Sequence, residues 1–221
     1  MIVARFLALL VAAAVAVPAL AQSASRARKN EFYGGPVFTD GKNYSFDGGT
    51  TAHTDTGYGL TLGWAHNFSP HVAAGIEIEW SQQDYRANVA PGPGNVLGVQ
   101  QVSSDIESRT IRFTGTYHFS EKAFTPYVTG GLGWTWVDSN IPNGLPENLC
   151  WYYPWWGTYC STYVPTANTT KFSYNVGGGL RYDYGRAFFR AQVHAQYIDF
   201  GGNYGSSSYL TQYRIDFGTK F

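Results

Sequence analysis

The chain closes on Tyr213-Arg214-Ile215-Asp216-Phe217-Gly218-Thr219-Lys220-Phe221. Tyr213, Ile215, Phe217 and Phe221 alternate with Arg214, Asp216, Gly218 and Lys220. Side chains on a strand point to opposite faces with a period of two. One face of this strand therefore suits hydrocarbon and the other suits water, up to the last residue. That is how the last strand of a closed transmembrane β-barrel must read.

Working back from the C-terminus, the same alternation recurs in six more segments. Residues 187–197 place Ala187, Phe189, Ala191, Val193, Ala195 and Tyr197 against Phe188, Arg190, Gln192, His194 and Gln196. Residues 171–184, 127–136, 110–119, 71–81 and 57–68 read in the same way. The first segment, Glu31 to Thr39, alternates poorly, and Gly34-Gly35-Pro36 leaves its facing open. The expectation is an all-β, eight-stranded, antiparallel up-and-down transmembrane barrel. Short turns are expected at Ser69-Pro70, Ser120 to Thr125 and Gly185-Arg186, and long connections over 40–55, 86–105, 138–169 and 200–208. Short and long connections alternate, so all long ones fall on one side and both termini on the other, the periplasmic side. A soluble eight-stranded barrel would bury its apolar face instead. The many glycines on the polar faces are too small to fill an apolar ligand cavity, which favours the membrane.

At the N-terminus, Arg5 precedes an apolar run from Phe6 to Val17, and Pro18-Ala19-Leu20-Ala21 follows. This is the pattern of a cleaved secretory signal over residues 1–21. The run is shorter than the ~20 residues that a membrane helix needs. Residues 22–30 read as a disordered periplasmic lead-in, and 31–221 as the barrel. Charged residues make up 14% of the chain, against about 25% in soluble domains. Lys+Arg and Asp+Glu are equal at 15 each, so no basic excess points to nucleic acid. Cys150 and Cys160 lie in one stretch of an exported chain, which predicts a disulfide. The chain-entropy model gives a loop of that size about 3 kcal/mol. No nearby His completes a zinc site, and no cofactor is implied.

The segment Pro126-Tyr127-Val128-Thr129-Gly130-Gly131-Leu132-Gly133-Trp134 resembles a strand of the small outer-membrane β-barrels. That family includes opacity proteins, the transmembrane domain of outer membrane protein A and porin-family barrels. The resemblance covers the whole mature chain. It implies residence in the bacterial outer membrane, contact with outer-membrane lipid and lipopolysaccharide, and insertion by the barrel-assembly machinery. That machinery would read the C-terminal signal of Tyr213, Ile215, Phe217 and Phe221. The soluble peptidoglycan-binding domain of outer membrane protein A has no counterpart here, so anchoring to the cell wall is not implied.

Charges gather on the face expected to line the lumen: Glu77, Glu79, Arg112, Arg181, Asp183, Arg190, Arg214 and Asp216. If the segments 71–81 and 110–119 pair, one register sets Glu77 opposite Arg112 and His71 opposite His118, and a two-residue slip still pairs Glu79 with Arg112. A hairpin through Gly185-Arg186 sets Arg181 opposite Arg190, a repulsive pair that needs acidic neighbours. Asp183 is diagonal to it, and the two glutamates could reach across. An eight-stranded barrel is just wide enough to be filled by its own side chains, and an unpaired buried charge is costly. A salt-bridged plug is therefore expected, with a narrow pore for small polar solutes as the alternative. His71 and His118 read as polar lumen residues rather than metal ligands. No nucleophile, base and acid set marks an enzyme.

The connection 138–169 holds Trp151, Tyr152, Tyr153, Trp155, Trp156 and Tyr159 between or beside its two cysteines. Exposed aromatics give contact area at small entropy cost. The reading is a loop that contacts a glycan or protein ligand at the cell surface. The competing reading packs these rings on each other or on the barrel rim.

Overall fold

The computed structural model describes residues 25–45, 51–89, 100–142, 147–153, 155, 157–163, 166–198 and 208–221. They form strands β1 (Asn30–Thr39), β2 (Lys42–Ser45), β3 (Thr51–Thr54), β4 (Gly57–Asn67), β5 (Val72–Val89) and β6 (Gln100–His118). Then come β7 (Phe124–Pro142), β8 (Glu147–Tyr153), β9 (Gly157–Tyr163), β10 (Thr166–Tyr184), β11 (Ala187–Ile198) and β12 (Ser208–Lys220). Strands β1, β4, β5, β6, β7, β10, β11 and β12 pair antiparallel in that order, and β12 returns to β1. The closed wall leaves none of its strands as an edge through the bilayer, where an unpaired backbone group is costly.

Facing follows the alternation. Tyr58, Leu60, Phe113, Leu132 and Phe217 point out and are more than half exposed. Of their neighbours along each strand, Thr61, Arg112, Thr114 and Asp216 are buried polar or charged residues, and Gly57, Gly131 and Gly133 are buried glycines. Apolar groups lie outside and polar groups inside, the inverse of a soluble ligand-carrying barrel. In β1 the pattern resolves as Glu31, Tyr33, Val37 and Thr39 inward and Phe32 and Phe38 outward. Gly35 explains why the sequence hid it. The backbone of β12 comes so close there that a Cβ on Gly35 would lie 1.8 Å from the Ile215 carbonyl oxygen.

The wall is uneven. β1, β4, β11 and β12 have 10 to 13 residues, whereas β5 has 18 and β6, β7 and β10 have 19. On β5 the apolar outward face runs from Val72 to Trp80, close to the 9–11 residues that cross a bilayer. Beyond Trp80 the outward positions are Gln82, Asp84 and Arg86, and on β6 beyond Ile111 they are Arg109 and Glu107. Half of the barrel thus stands out of the membrane. Much of the expected loops 86–105 and 138–169 is strand. Both faces of these extensions meet water or masking neighbours, so hydrophobic alternation fades while backbone pairing continues. The β2–β3 hairpin adds to the tall side through Thr51–Asn88 and its neighbours, and β8–β9 forms a separate two-stranded sheet. The expected connection 200–208 lies, apart from Ser208, outside the described residues.

At the short-turn end, Phe68 N donates to Val72 O at 2.9 Å and Ser120 N donates to Thr125 Oγ1 at 3.0 Å. Gly185 has φ of +60°, which suits the first position of a type II′ hairpin. The lead-in is ordered from Ser25 onward, contrary to the expected disorder. Arg28 N donates to Asn67 O at 2.8 Å, and the Arg26 side chain turns into the barrel mouth, 3% exposed.

Candidate functional site

Inward positions near the periplasmic end build a first tier of charge. Arg181 donates to both oxygens of Glu31, at 2.8 and 2.6 Å, and to Asp183 at 2.9 to 3.2 Å. Lys220 reaches Asp183 at 2.8 Å. Arg26 lies 3.3 Å from the same carboxylate and donates a short bond to the Ser120 carbonyl. Burial pushes the Arg26 guanidinium below its ordinary pKa, and Asp183 pulls it back up.

A second tier lies deeper. Arg214 donates to both oxygens of Glu77, at 2.9 and 2.6 Å, and reaches Asp216 at 3.1 Å. Arg190 donates to Asp216 at 2.9 Å. Arg112 lies 3.4 Å from Glu77 and donates a short bond to Glu79. Gln212 donates to Glu79 at 2.8 Å, and the Tyr33 hydroxyl donates to Glu77 at 2.8 Å. The Glu77–Arg214 pair joins β5 to β12, which have β4 and β1 between them in the wall, so it crosses the lumen.

Both expected registers hold. Glu77 stands opposite Arg112, and Arg181 opposite Arg190. The Arg–Arg repulsion is relieved by different groups from those expected. Arg181 is neutralised by Glu31 and Asp183, and Arg190 by Asp216, while Glu77 and Glu79 serve Arg112 and Arg214. The Phe188 ring also lies between the two guanidinia, 4.0 Å from that of Arg181 and 5.5 Å from that of Arg190. Arg190 stacks on Tyr33 at 3.9 Å as well. Tyr33 in turn needs Gly63, where a Cβ would meet its ring at 2.3 Å. Glycines on the inward face therefore make room for aromatic spacers between charges.

Among the described residues the buried charges are Arg26, Arg112, Arg181, Arg190, Arg214 and Lys220 against Glu31, Glu77, Glu79, Asp183 and Asp216. Every one of them has an oppositely charged partner within 4 Å. Sequence reasoning missed Glu31 because β1 hides its alternation, and Arg26 because it belongs to no strand. Tyr33 and Gln212 also fell outside the expected set. His71 meets His118 in register, but its Nδ1 bonds the His118 carbonyl oxygen at 2.8 Å and its Nε2 faces Glu121 at 3.2 Å.

Outside, Tyr213, Phe217 and Phe221 project from the wall, as expected of the C-terminal strand, and Ile215 shares that face half-buried. Phe221 N donates to Asn30 O at 3.0 Å, which locks the chain end into the closing seam. In the β8–β9 hairpin Cys150 stands directly opposite Cys160, and Trp151 opposite Tyr159. Tyr152 and Tyr153 lie on β8. Trp155 is 91% exposed at the tip, and Trp156 falls outside the described residues.

Among solved structures, the chain is similar to Ail, the attachment invasion locus protein of Yersinia pestis, in complex with the heparin analogue sucrose octasulfate. Identity is 12%, with 88% of this chain and 99% of that one covered and a TM-score of 0.49. OprG of Pseudomonas aeruginosa is 18% identical over 88% of this chain and 96% of that one, with a TM-score of 0.48. Neisserial surface protein A is 13% identical over 86% and 95%, with a TM-score of 0.45. No curated protein matches the chain. The sequence does match, over residues 7–221, the family described as the outer membrane protein beta-barrel domain. With the closed barrel and its apolar exterior, that match makes this chain a member of the outer-membrane β-barrel family, resident in the bacterial outer membrane.

Proposed function

We propose that the protein is a closed barrel that holds a recognition surface outside the cell, and that it is not an enzyme. One observation carries this reading: each buried charge of the lumen is matched by a partner within the barrel, so the two tiers form a plug rather than a path. The tall wall of β5, β6, β7 and β10 then serves to raise the β8–β9 hairpin above the lipid. A disulfide between Cys150 and Cys160 would brace that hairpin. Directly opposed residues of an antiparallel pair have Cα atoms about 4.5 or 5.5 Å apart, inside the disulfide range. Outer-membrane lipid and lipopolysaccharide surround the apolar belt, and the assembly machinery recognises the last strand.

The test is conductance of the folded protein in a planar bilayer, with folding checked by heat-modifiable gel mobility. A silent bilayer is expected. Stable ion-selective steps that change in Glu77→Gln or Arg112→Gln would establish the narrow pore instead.

A further inference from the structure

The two ends of the barrel differ in charge. At the outer end, Asp84, Asp105, Glu107 and Asp138 outnumber Arg86 and Arg109 on the outward faces of β5, β6 and β7. At the periplasmic end the balance reverses. Arg28 and Lys29 precede β1, Lys122 lies in the β6–β7 turn and Arg186 in the β10–β11 turn. All four residues are exposed, and no ion pair or side-chain hydrogen bond ties any of them to another described residue. Residues 1–24 contain no Asp or Glu that could serve them. The acids of this rim are Glu121, which faces His71 at 3.2 Å, and the carboxylate of Phe221. Glu31 and Asp183 lie inside, already paired with Arg181, Lys220 and Arg26.

Exposed rings fix the depth of these cations. Lys122 stands between Phe119 and Phe124, and Arg186 two residues past Tyr184. The Arg28 N–H donates to Asn67 O beside Phe68, and Lys29 precedes Asn30, whose backbone bonds Phe221 in both directions. Aromatic rings gather at membrane–water interfaces. A Lys or Arg stem lies along apolar surface while its head stays in water. The four cations therefore stand at the level of the lipid headgroups, spread around the rim over β1, β6–β7 and β10–β11. Arg28 adds a second sign. Its φ of +58° is left-handed, a conformation that glycine adopts freely and other L residues rarely do. Glycine would hold that turn without strain, so the turn itself does not call for an arginine.

From this placement we infer that the collar of Arg28, Lys29, Lys122 and Arg186 binds phospholipids with net-negative headgroups in the periplasmic leaflet. Each cation beside an anionic bilayer surface adds to the attraction, which fades within a Debye length. A zwitterionic headgroup offers no net charge to it, so the collar sorts lipids by charge. The inference does not depend on what the outer end of the barrel contacts.

The experiment reconstitutes the full mature protein in phosphatidylcholine bilayers. Spin-labelled phosphatidylglycerol and spin-labelled phosphatidylcholine are the probes, and electron paramagnetic resonance reads the immobilised fraction of each. At about 20 mM NaCl phosphatidylglycerol should associate about threefold or more tightly than phosphatidylcholine, and at about 500 mM the ratio should fall toward one. Neutralising the collar with Arg28→Gln/Lys29→Gln/Lys122→Gln/Arg186→Gln should remove the preference. Arg86→Gln/Arg109→Gln at the outer end should keep it. Arg28→Gly alone should lower the ratio without lowering the urea midpoint, since it relieves the left-handed turn. Equal association of the two lipids at low salt would overturn the inference, and so would a preference that survives neutralisation of the collar. Salt-sensitive retention on isolated peptidoglycan, lost with the collar cations and without any lipid preference, would overturn it too and give the collar to the cell wall.

Discussion

In the lumen, Glu77 is shared by Arg214, Arg112 and Tyr33, and the Phe188 ring is wedged between two guanidinia. In the β8–β9 hairpin, Trp155 stands almost fully open, and no charged residue lies between Glu147 and Lys171. Charges that ordinarily seek water are inside, and at the hairpin tip a ring that ordinarily seeks a core, that of Trp155, is outside. The difference shows what each region is built against. In the lumen each buried charge has an oppositely charged partner that the chain itself supplies. At the hairpin tip, Trp155 leaves its ring open to solvent. In both places aromatic rings sit where charge would otherwise be a problem. In the lumen they separate like charges, and in the hairpin they replace charges altogether.

The contrast is tested most severely at Glu77. Glu77→Ala would leave Arg214 with Asp216 alone, Arg112 with Glu79 alone and the Tyr33 hydroxyl without its acceptor. Removing one member of a buried ion pair costs about 3–5 kcal/mol, read as a drop in the urea midpoint of the folded band on unheated gels. A loss below about 1 kcal/mol would mean that water already solvates the second tier, and the lumen would no longer be the closed counterpart of the hairpin.

Next in size is Gly63→Ala. The added methyl would meet the Tyr33 ring, which is held between Arg190 and Glu77. Overpacking of this kind costs about 1–3 kcal/mol. In a Tyr33→Leu background the penalty should shrink, because the clash partner is gone. Equal losses in both backgrounds, measured as a double-mutant cycle, would show that Tyr33 is no spacer.

Arg26→Gln should cost less, about 1 kcal/mol, since Asp183 keeps Arg181 and Lys220. Its effect should appear as protease access at the N-terminus before any change in the barrel midpoint. If the N-terminus stays protected, the lead-in is held by its backbone bonds and not by the ion pair.

How much of this was legible in the sequence varies with what the solvent does on each side of a strand. Where lipid lies outside and polar lumen inside, as from Val72 to Trp80, the two faces differ and the alternation gives strand, facing and register together. The Arg181–Arg190 pairing follows from that and from the Gly185-Arg186 turn, whereas Glu77–Arg112 is one of two registers open to strands joined by a long connection. Where water lies outside, as beyond Trp80 on β5 and beyond Ile111 on β6, the outward face turns polar and the strand reads as loop. Glu31 and Arg26 were hidden for other reasons. In β1 the close approach of β12 demands Gly35, and Gly34-Gly35-Pro36 erases the pattern around it. Arg26 reaches the lumen from a turn, with no periodicity to announce it. Which acid serves which arginine depends on reach across the lumen, and that is set by the closure of the barrel rather than by any single strand.

The smallest expected effect bears on the other half of the contrast. Trp155→Ala removes the largest side chain from the hairpin tip, yet at 91% exposure it makes almost no packing contact to lose. Surface substitutions of this kind stay within about 0.5 kcal/mol, so the urea midpoint should not move. If it falls by more than about 1 kcal/mol, Trp155 is packed in solution, the rings of the hairpin fold back on the protein, and the face is a small core of its own. If the midpoint holds while contact with a surface ligand is lost, stability and recognition are separable residue by residue. A lumen substitution such as Glu77→Ala cannot give that result, because there the same groups carry both the charge and the fold.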